Sequence, residues 1–237
     1  IYTHKEIFLR EIISNASDAC DKLCYLALTD DSVGLDRKDF KIDLTVDKAN
    51  RITTVSDNGI GMNKEDLENN LGVIASSGSY KFKQEVGDDT KDTEVIGQFG
   101  VGFYSAFMVA DQITVITRKY GAESAYTWKS SGADGYTITE CEKDSVGTDI
   151  IMHIKEDTEE ENYSEFLESW KLQELVRKYS DYIRFPIRME VSKTRKKEDS
   201  PEDQPEYESY TEVDTLNSMV PIWQRSKSSV TTEEYHK

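Results

Sequence analysis

The sequence predicts a two-layer α+β sandwich, a mixed and mostly antiparallel sheet covered on one face by helices. Three observations predict it. Strands and helices follow one another in mixed order, without the regular strand, helix, strand alternation of a doubly wound fold. The first helix and a later one are amphipathic, each with a flank suited to burial. A chain of 237 residues with 37% hydrophobic content can bury one sizeable core and part of a second.

Residues 1–24 read as the first helix. Glu11, Asn15, Asp18 and Lys22 stand at offsets 0, 4, 7 and 11, and at about 100° per residue they project within an arc of roughly 60°. Phe8, Ile12, Ile13, Ala16, Ala19 and Leu23 spread over the flank that packs on a core. Two carboxylates and an amide aligned in this way can hold a water, a Mg²⁺ ion and the counter-charges of a polyanion, which points to nucleotide hydrolysis. A solvated helix face has the same pattern.

A loop follows over 30–39. The alternating runs 40–46 and 51–56, with turn chemistry at 47–50, read as a β-hairpin. Residues 63–71 read as a helix capped by Asn63, with Glu65 and Asp66 in the first turn, where carboxylates suit the helix dipole. A Ser- and Gly-rich stretch, 76–79, precedes a polar segment, 84–93, that reads as a candidate lid. Residues 97–109 read as a glycine loop entering a second helix, and 113–118, 124–130, 135–139 and 148–155 as antiparallel strands. Residues 170–183 form another amphipathic helix, stopped by Pro186.

From Ser192 the composition turns charged and proline-rich and reads as a linker, with an edge strand at 207–215 and the opening of a further domain at 220–237. The expected division is an N-terminal domain over 1–192 and a linker with the start of the next domain over 193–237. Ile1 is not a methionine and the first helix starts almost at once, so a natural N-terminal segment, a first strand included, is expected to precede it.

The net charge of -17 and pI near 4.6 oppose a sequence-independent grip on nucleic acid, which depends on Lys and Arg replacing counterions along phosphates. No nucleic-acid partner is expected. Acidic balance suits solubility and transient contact with basic or unfolded chains. No apolar run approaches the roughly 20 residues that cross a bilayer, and no charged-then-apolar leader opens the chain; a soluble, unexported protein without a membrane partner is expected. Cys20 and Cys24 sit one helical turn apart and Cys141 is remote, a pattern that ordinary thiols in a reducing cytosol explain.

Three short motifs carry chemistry. Asp57-Asn58-Gly59-Ile60-Gly61-Met62 follows a strand and precedes a helix. Its glycines permit a tight turn and close approach to a flat ring, and Asp57 at the strand end can accept a hydrogen bond from an adenine amino group. Gly97-Gln98-Phe99-Gly100-Val101-Gly102 runs into a helix whose free N–H groups favour phosphate. Gly147-Thr148 opens a late strand, where the hydroxyl can bridge Asp57 and a base through water. Taken singly, each is also an ordinary turn or strand start.

Taken together and in this order, with Glu-x-x-x-Asn on the first helix, they resemble the ATPase superfamily shared by gyrase, heat-shock chaperones, sensor histidine kinases and the MutL repair proteins. Residues 5–18 (KEIFLREIISNASD), 56–62 (SDNGIGM), 96–105 (IGQFGVGFYS) and 221–235 (PIWQRSKSSVTTEEY) look like the ninety-kilodalton heat-shock chaperone family, closest to its bacterial branch, across essentially the whole chain. The resemblance implies a Bergerat (GHKL) ATPase domain that binds ATP or ADP with Mg²⁺.

By the same resemblance Glu11 is the general base that activates or orients the attacking water and Asn15 is the Mg²⁺ ligand, in keeping with the oxygen preference of a hard cation and the proton affinity of a carboxylate. Asp57 becomes the adenine anchor, assisted by Thr148 and a water. Asp18, Ala19, Gly61, Met62, Asn70, Leu71 and Phe103 line the pocket, and Gly97, Gln98, Phe99, Gly100, Val101 and Gly102 cradle phosphates. Ser77 and Gly78 belong to the lid, where Ser76 stands in place of a lysine common in relatives. Lys22 is a ribose or phosphate neighbour, or a plain salt-bridge partner.

The implied function is an ATP-dependent molecular chaperone of the cytoplasm, whose nucleotide state drives a dimeric clamp around client proteins. The full-length protein is expected to be a homodimer and this stretch alone a weakly hydrolysing monomer. A sensor histidine kinase needs a phospho-accepting histidine on a dimerisation helix, and none of His4, His153 and His236 has that setting. A DNA-associated ATPase is opposed by the charge. A nucleotide sensor that binds without hydrolysis stays open, because family members complete their site with an arginine from the middle domain.

Overall fold

The computed structural model describes residues 4–72 and 101–221. Among these residues eight strands form one sheet: β1 (Ile42–Asp47), β2 (Ile52–Asp57), β3 (Ala110–Arg118), β4 (Ala125–Ser130), β5 (Tyr136–Cys141), β6 (Gly147–Ile154), β7 (Ile187–Lys196) and β8 (Tyr207–Thr215). Their spatial order is β5-β4-β3-β6-β2-β1-β7-β8. Only the β1–β7 pair is parallel among the described residues; the rest are antiparallel. The helices are α1 (Ile7–Ala27), α2 (Lys64–Leu67), α3 (Val101–Tyr104) and α4 (Ser169–Tyr179). The expected two-layer α+β arrangement is what forms.

Strand alternation decides which face is covered. Ile42 and Leu44 of β1, Val55 of β2, Ile113 and Val115 of β3, and Ile150, Met152 and Ile154 of β6 are buried, whereas Thr54, Thr114, Ile116 and Ile151 between them are only half-buried. Phe8, Leu9, Ile12 and Ile13 of α1 join the buried set in a single cluster, and α1 also packs on α3 and α4. Each such side chain, fully buried, contributes about 1.5 to 3 kcal/mol. Phe8 meets Phe166 edge-on at 5.2 Å, and the Thr53 hydroxyl donates to the Phe166 carbonyl at 2.9 Å, so the 3₁₀ turn Tyr163–Leu167 closes one end of the core.

Several elements differ from the sequence reading. The helix expected over 170–183 ends at Tyr179, not at Pro186: Ser180 turns to φ −131°, and the buried Asn217 amide donates to the Ile183 and Phe185 carbonyls at 2.8 and 3.0 Å while its oxygen accepts from Ile187 N–H. These bonds hold 180–187 as a turn fastened to the chain leaving β8. The helix expected over 63–71 is α-helical only through Leu67 and continues as a π-helical turn, Glu68–Gly72. Its expected cap is present, with the Asn63 side chain accepting from Asp66 N–H and Asp66 answering to Asn63 N–H. The described part of the second helix is α3 followed by a 3₁₀ turn, Ser105–Met108.

The largest difference is at Ser192. β7 runs through this position to Lys196 and pairs with β8 along its length, so the composition shift marks no break in the sheet. A two-stranded ribbon needs little burial when its backbone groups pair and its charges alternate. Lys193 donates to Glu212 and Asp214, both at 2.9 Å, and Arg195 to Glu208 at 2.8 Å. The edge strand expected at 207–215 is β8 itself. No described helix is long and apolar enough to cross a membrane.

Candidate functional site

Three adjacent strands place a row of polar side chains at one end of the sheet. Asp57, the last residue of β2, is registered against Thr148 of β6, and Thr148 against Thr117 of β3. Directly opposed residues on one sheet face have Cβ atoms about 4.5 to 5.5 Å apart. Asp57 Oδ1 accepts from Gly59 N–H at 2.8 Å. The Thr117 and Thr148 hydroxyls lie 2.8 Å apart, and Thr117 Oγ1 accepts from Met62 N–H at 2.9 Å and reaches the Gly147 carbonyl at 3.2 Å. Burial pushes the Asp57 carboxyl up to about 7; the Gly59 N–H opposes this, Asp149 adds to it and Lys143 offsets it. A carboxylate held at a strand end beside a buried hydroxyl can take a donor and face an acceptor at once, the complement of an amidine-like ring edge.

The Asp-x-Gly-x-Gly turn fits against the protein's own backbone. A Cβ on Gly59 would stand 2.4 Å from the Ala19 carbonyl carbon, and one on Gly61, at φ +72°, 2.0 Å from the Arg118 carbonyl oxygen. Ile60 N–H donates to the Ala19 carbonyl at 3.0 Å and Tyr120 N–H to the Ile60 carbonyl at 2.8 Å. These glycines let the turn wedge between α1 and the end of β3. Gly147, at φ +133°, is confined in the same way, with a Cβ falling 2.2 Å from the Asp57 carbonyl.

Along α1 the polar stripe is buried only at its start. Glu11 is 7% exposed, and Arg10 donates to its Oε1 from Nη2 at 2.9 Å and from Nε at 3.3 Å. Its Oε2 faces Gly102, where a Cβ would come within 2.4 Å. Asn15 and Lys22 are open to solvent. The Asp18 carboxyl is raised first by desolvation, then by Asp21, with Lys22 opposing. At 1.5 Å per residue, Glu11 and Asp18 stand about 10 Å apart along the axis, so the helix presents one polar end near α3 and another near the Asp57 turn.

Of the other expected pocket residues, Asn70 is exposed, and Leu71 is buried with its carbonyl accepting from the Tyr104 hydroxyl at 2.8 Å. Phe103, 2% exposed, stacks edge-on with Trp128 and Tyr104 and belongs to the core as placed. Met62 packs against the same cluster. Val101 opens α3. Ser77, Gly78, Gly97, Gln98, Phe99 and Gly100, with Ser76 and the lid at 84–93, lie outside the described residues. The three cysteines are free; burial raises the Cys20 thiol well above its ordinary value.

Two residues of the site were not anticipated. Thr117 had a signal, since it occupies the next inward position after Ile113 and Val115, where alternation demands an apolar side chain. Arg10 had none, because a cation beside a carboxylate on a helix surface is ordinary. Among the described residues no three of His, Cys, Asp and Glu converge as a metal cage.

A family model for histidine kinase-, DNA gyrase B- and HSP90-like ATPases matches residues 2–158, and one described as Hsp90 protein matches residues 165–212. The chain is 57% identical over 236 residues to chaperone protein HtpG of Clostridium botulinum (strain 657 / Type Ba4), covering 99% of this chain and 37% of that protein. It is 55% identical over 237 residues to chaperone protein HtpG of Clostridium perfringens (strain 13 / Type A), covering 100% and 37%. The chain thus spans little more than a third of the length of these relatives. The Asp-x-Gly-x-Gly turn seated on α1, the Gly-Thr strand start beside it and Glu11 against α3 all fall within the first match, and the chain belongs to the family of histidine kinase-, DNA gyrase B- and HSP90-like ATPases.

Proposed function

We propose that this chain is the nucleotide-binding and ATP-hydrolysing part of an ATP-dependent molecular chaperone of the cytoplasm, whose nucleotide state drives a dimeric clamp acting on client proteins. Support comes from its likeness, over 99% of its length, to a protein named as a chaperone, together with the polar row at the sheet end. Asp57 accepts the adenine amino group and Thr148 completes the base contact, directly or through water. Glu11 takes the proton of the attacking water on Oε2, the oxygen that Arg10 leaves free. Asn15 would hold Mg²⁺ by its amide oxygen, and the ion would supply neutralisation of phosphate charge. The resemblance assigns the loop from Gly97 to Gly102 to the phosphates, Ser77 and Gly78 to the lid over them, Asp18, Asn70 and Leu71 to the pocket wall, Lys22 to a ribose or phosphate contact or a plain salt bridge, and residues 220–237 to the start of a second domain.

The observation that carries this reading is the row Asp57, Thr148, Thr117 with Gly59 N–H fixing one carboxylate oxygen. Calorimetric titration with ADP tests it. The wild-type chain should bind and Asp57→Asn should not, because the amide sets a donor against the donating amino group, and an unpaired buried donor costs about 1 to 3 kcal/mol before the lost bond is counted. Equal affinity in the two proteins overturns the adenine-anchor assignment.

A further inference from the structure

β8 ends the strand order of the sheet, and among the described residues its outer side pairs with no strand. The two ends of the β7–β8 ribbon fix its bonding phase. Lys197 N–H donates to the Glu206 carbonyl at 2.8 Å and Leu216 N–H to the Ile187 carbonyl at 2.7 Å, and the register between them is unbroken. Bonded and unbonded pairs alternate along an antiparallel ladder, so the even-numbered residues of β8 turn their backbone groups to β7. The odd-numbered ones, Tyr207, Ser209, Thr211, Val213 and Thr215, turn theirs outward.

These five side chains carry no charge and all are exposed, Tyr207 by 65% and Val213 by 57%. Natural sheets blunt an open edge with lysine, proline, a bulge or a short strand. β8 runs nine residues without Lys, Arg, Pro or a register shift. Such an edge suits strand addition, in which main-chain bonds supply affinity and alternate side chains supply specificity. The other face of the ribbon selects the occupant. Arg195 takes Glu208 there, whereas Lys193 alone serves both Glu212 and Asp214. A second copy pairing antiparallel about Thr211 would set Glu208 against Asp214 twice, and like charges directly opposed are destabilising. A strand with cations at those positions meets carboxylates instead.

We propose that the outer edge of β8 captures an extended basic segment of another polypeptide by strand addition. The segment alternates β-branched or aromatic residues, beside Thr211 and Val213, with Lys or Arg beside Glu208, Glu212 and Asp214. This edge lies three strands from Asp57 in the sheet, so failure here leaves the nucleotide site standing, and the reverse.

The test is fluorescence anisotropy with the whole chain and a labelled synthetic peptide, matched to the nine residues of β8, that alternates valine or threonine with lysine. It should bind about tenfold more tightly than the same peptide with glutamate for lysine. Methylating the amides of its valine and threonine residues, which face β8 when the lysines lie beside the carboxylates, should abolish binding. Thr211→Pro removes one outward N–H and no bond to β7, a place where an edge strand tolerates proline. It should weaken binding about tenfold with the circular dichroism spectrum unchanged. Absence of binding to the wild-type chain overturns the proposal, as does equal binding of the methylated peptide, of the glutamate peptide or by Thr211→Pro. Sedimentation showing a wild-type dimer that Thr211→Pro converts to a monomer gives the edge to a second copy and overturns it too. Should Thr211→Pro not fold, the methylated peptide decides alone.

Discussion

If Asp57 anchors the base as proposed, its elevated carboxyl should make base binding depend on pH near neutrality. Burial raises this group to about 7 in the free protein, with Asp149 adding to the shift and Lys143 and the Gly59 N–H opposing it; an ordinary aspartate titrates near 3.9. The ionised form is the strong acceptor for an amino group, and protonation leaves only a weaker neutral one. About nine-tenths of Asp57 is ionised at pH 8 and about one-tenth at pH 6, so affinity for adenosine should fall about tenfold between the two and level off above pH 8. Adenosine is the right probe because it has no phosphate and its ring does not titrate in this window. Titration at pH 7 in two buffers of different ionisation enthalpy should show release of about half a proton on binding. The sign for stability follows from the same shift. The folded state holds a proton that the unfolded chain has lost between about pH 4 and 7, so this group's contribution is greatest below the unfolded value, falls as pH rises through the interval and is flat above 7. Affinity constant within twofold from pH 6 to 8, without proton release, would refute the link between Asp57 ionisation and base capture.

Glu11→Ala, placed in the full-length protein, should leave ATP affinity within a few fold while hydrolysis falls about 10² to 10⁴; steady-state turnover beside equilibrium binding checks it, and surviving hydrolysis puts the base elsewhere. Gly147→Ala should lower the melting temperature markedly, because φ is +133° and the new Cβ would lie 2.2 Å from the Asp57 carbonyl, adding overpacking of about 1 to 3 kcal/mol to the backbone strain. A melting temperature within a degree of wild type would show that the β2 and β6 ends part freely.

Much of the architecture is legible from local pattern. The hairpin of β1 and β2, the strands β3 to β6 and the amphipathic first helix follow from periods of 2 and 3.6 that survive into the structure. The cap at Asn63 is legible because an Asx side chain and a first-turn carboxylate satisfy each other within four residues. β7 is not legible, because half of it is charged and its stability comes from a ladder to β8 and from ion pairs with residues about 20 positions away. The end of α4 is hidden for a similar reason: Asn217, some 30 residues on, fastens the carbonyls of Ile183 and Phe185 and the N–H of Ile187 in a turn.

By itself the sequence determined which side chains can do chemistry: a carboxylate at Glu11, an amide at Asn15, an aspartate at a strand end and a Gly-Thr start, each readable because its spacing and local turn are set by neighbours in the chain. The tertiary structure alone decided how they are held. Asp57, Thr148 and Thr117 come from strands separated by up to 91 positions and meet because the strand order brings β2, β6 and β3 side by side. Gly59, Gly61 and Gly147 prove to be sites of backbone contact between distant segments, and Glu11 receives its tight neighbour Gly102 from a helix remote in sequence. Local periodicity fixes the face on which a residue lies, but register across strands and the packing of a turn against a helix depend on long-range contacts that a window of neighbouring residues does not contain.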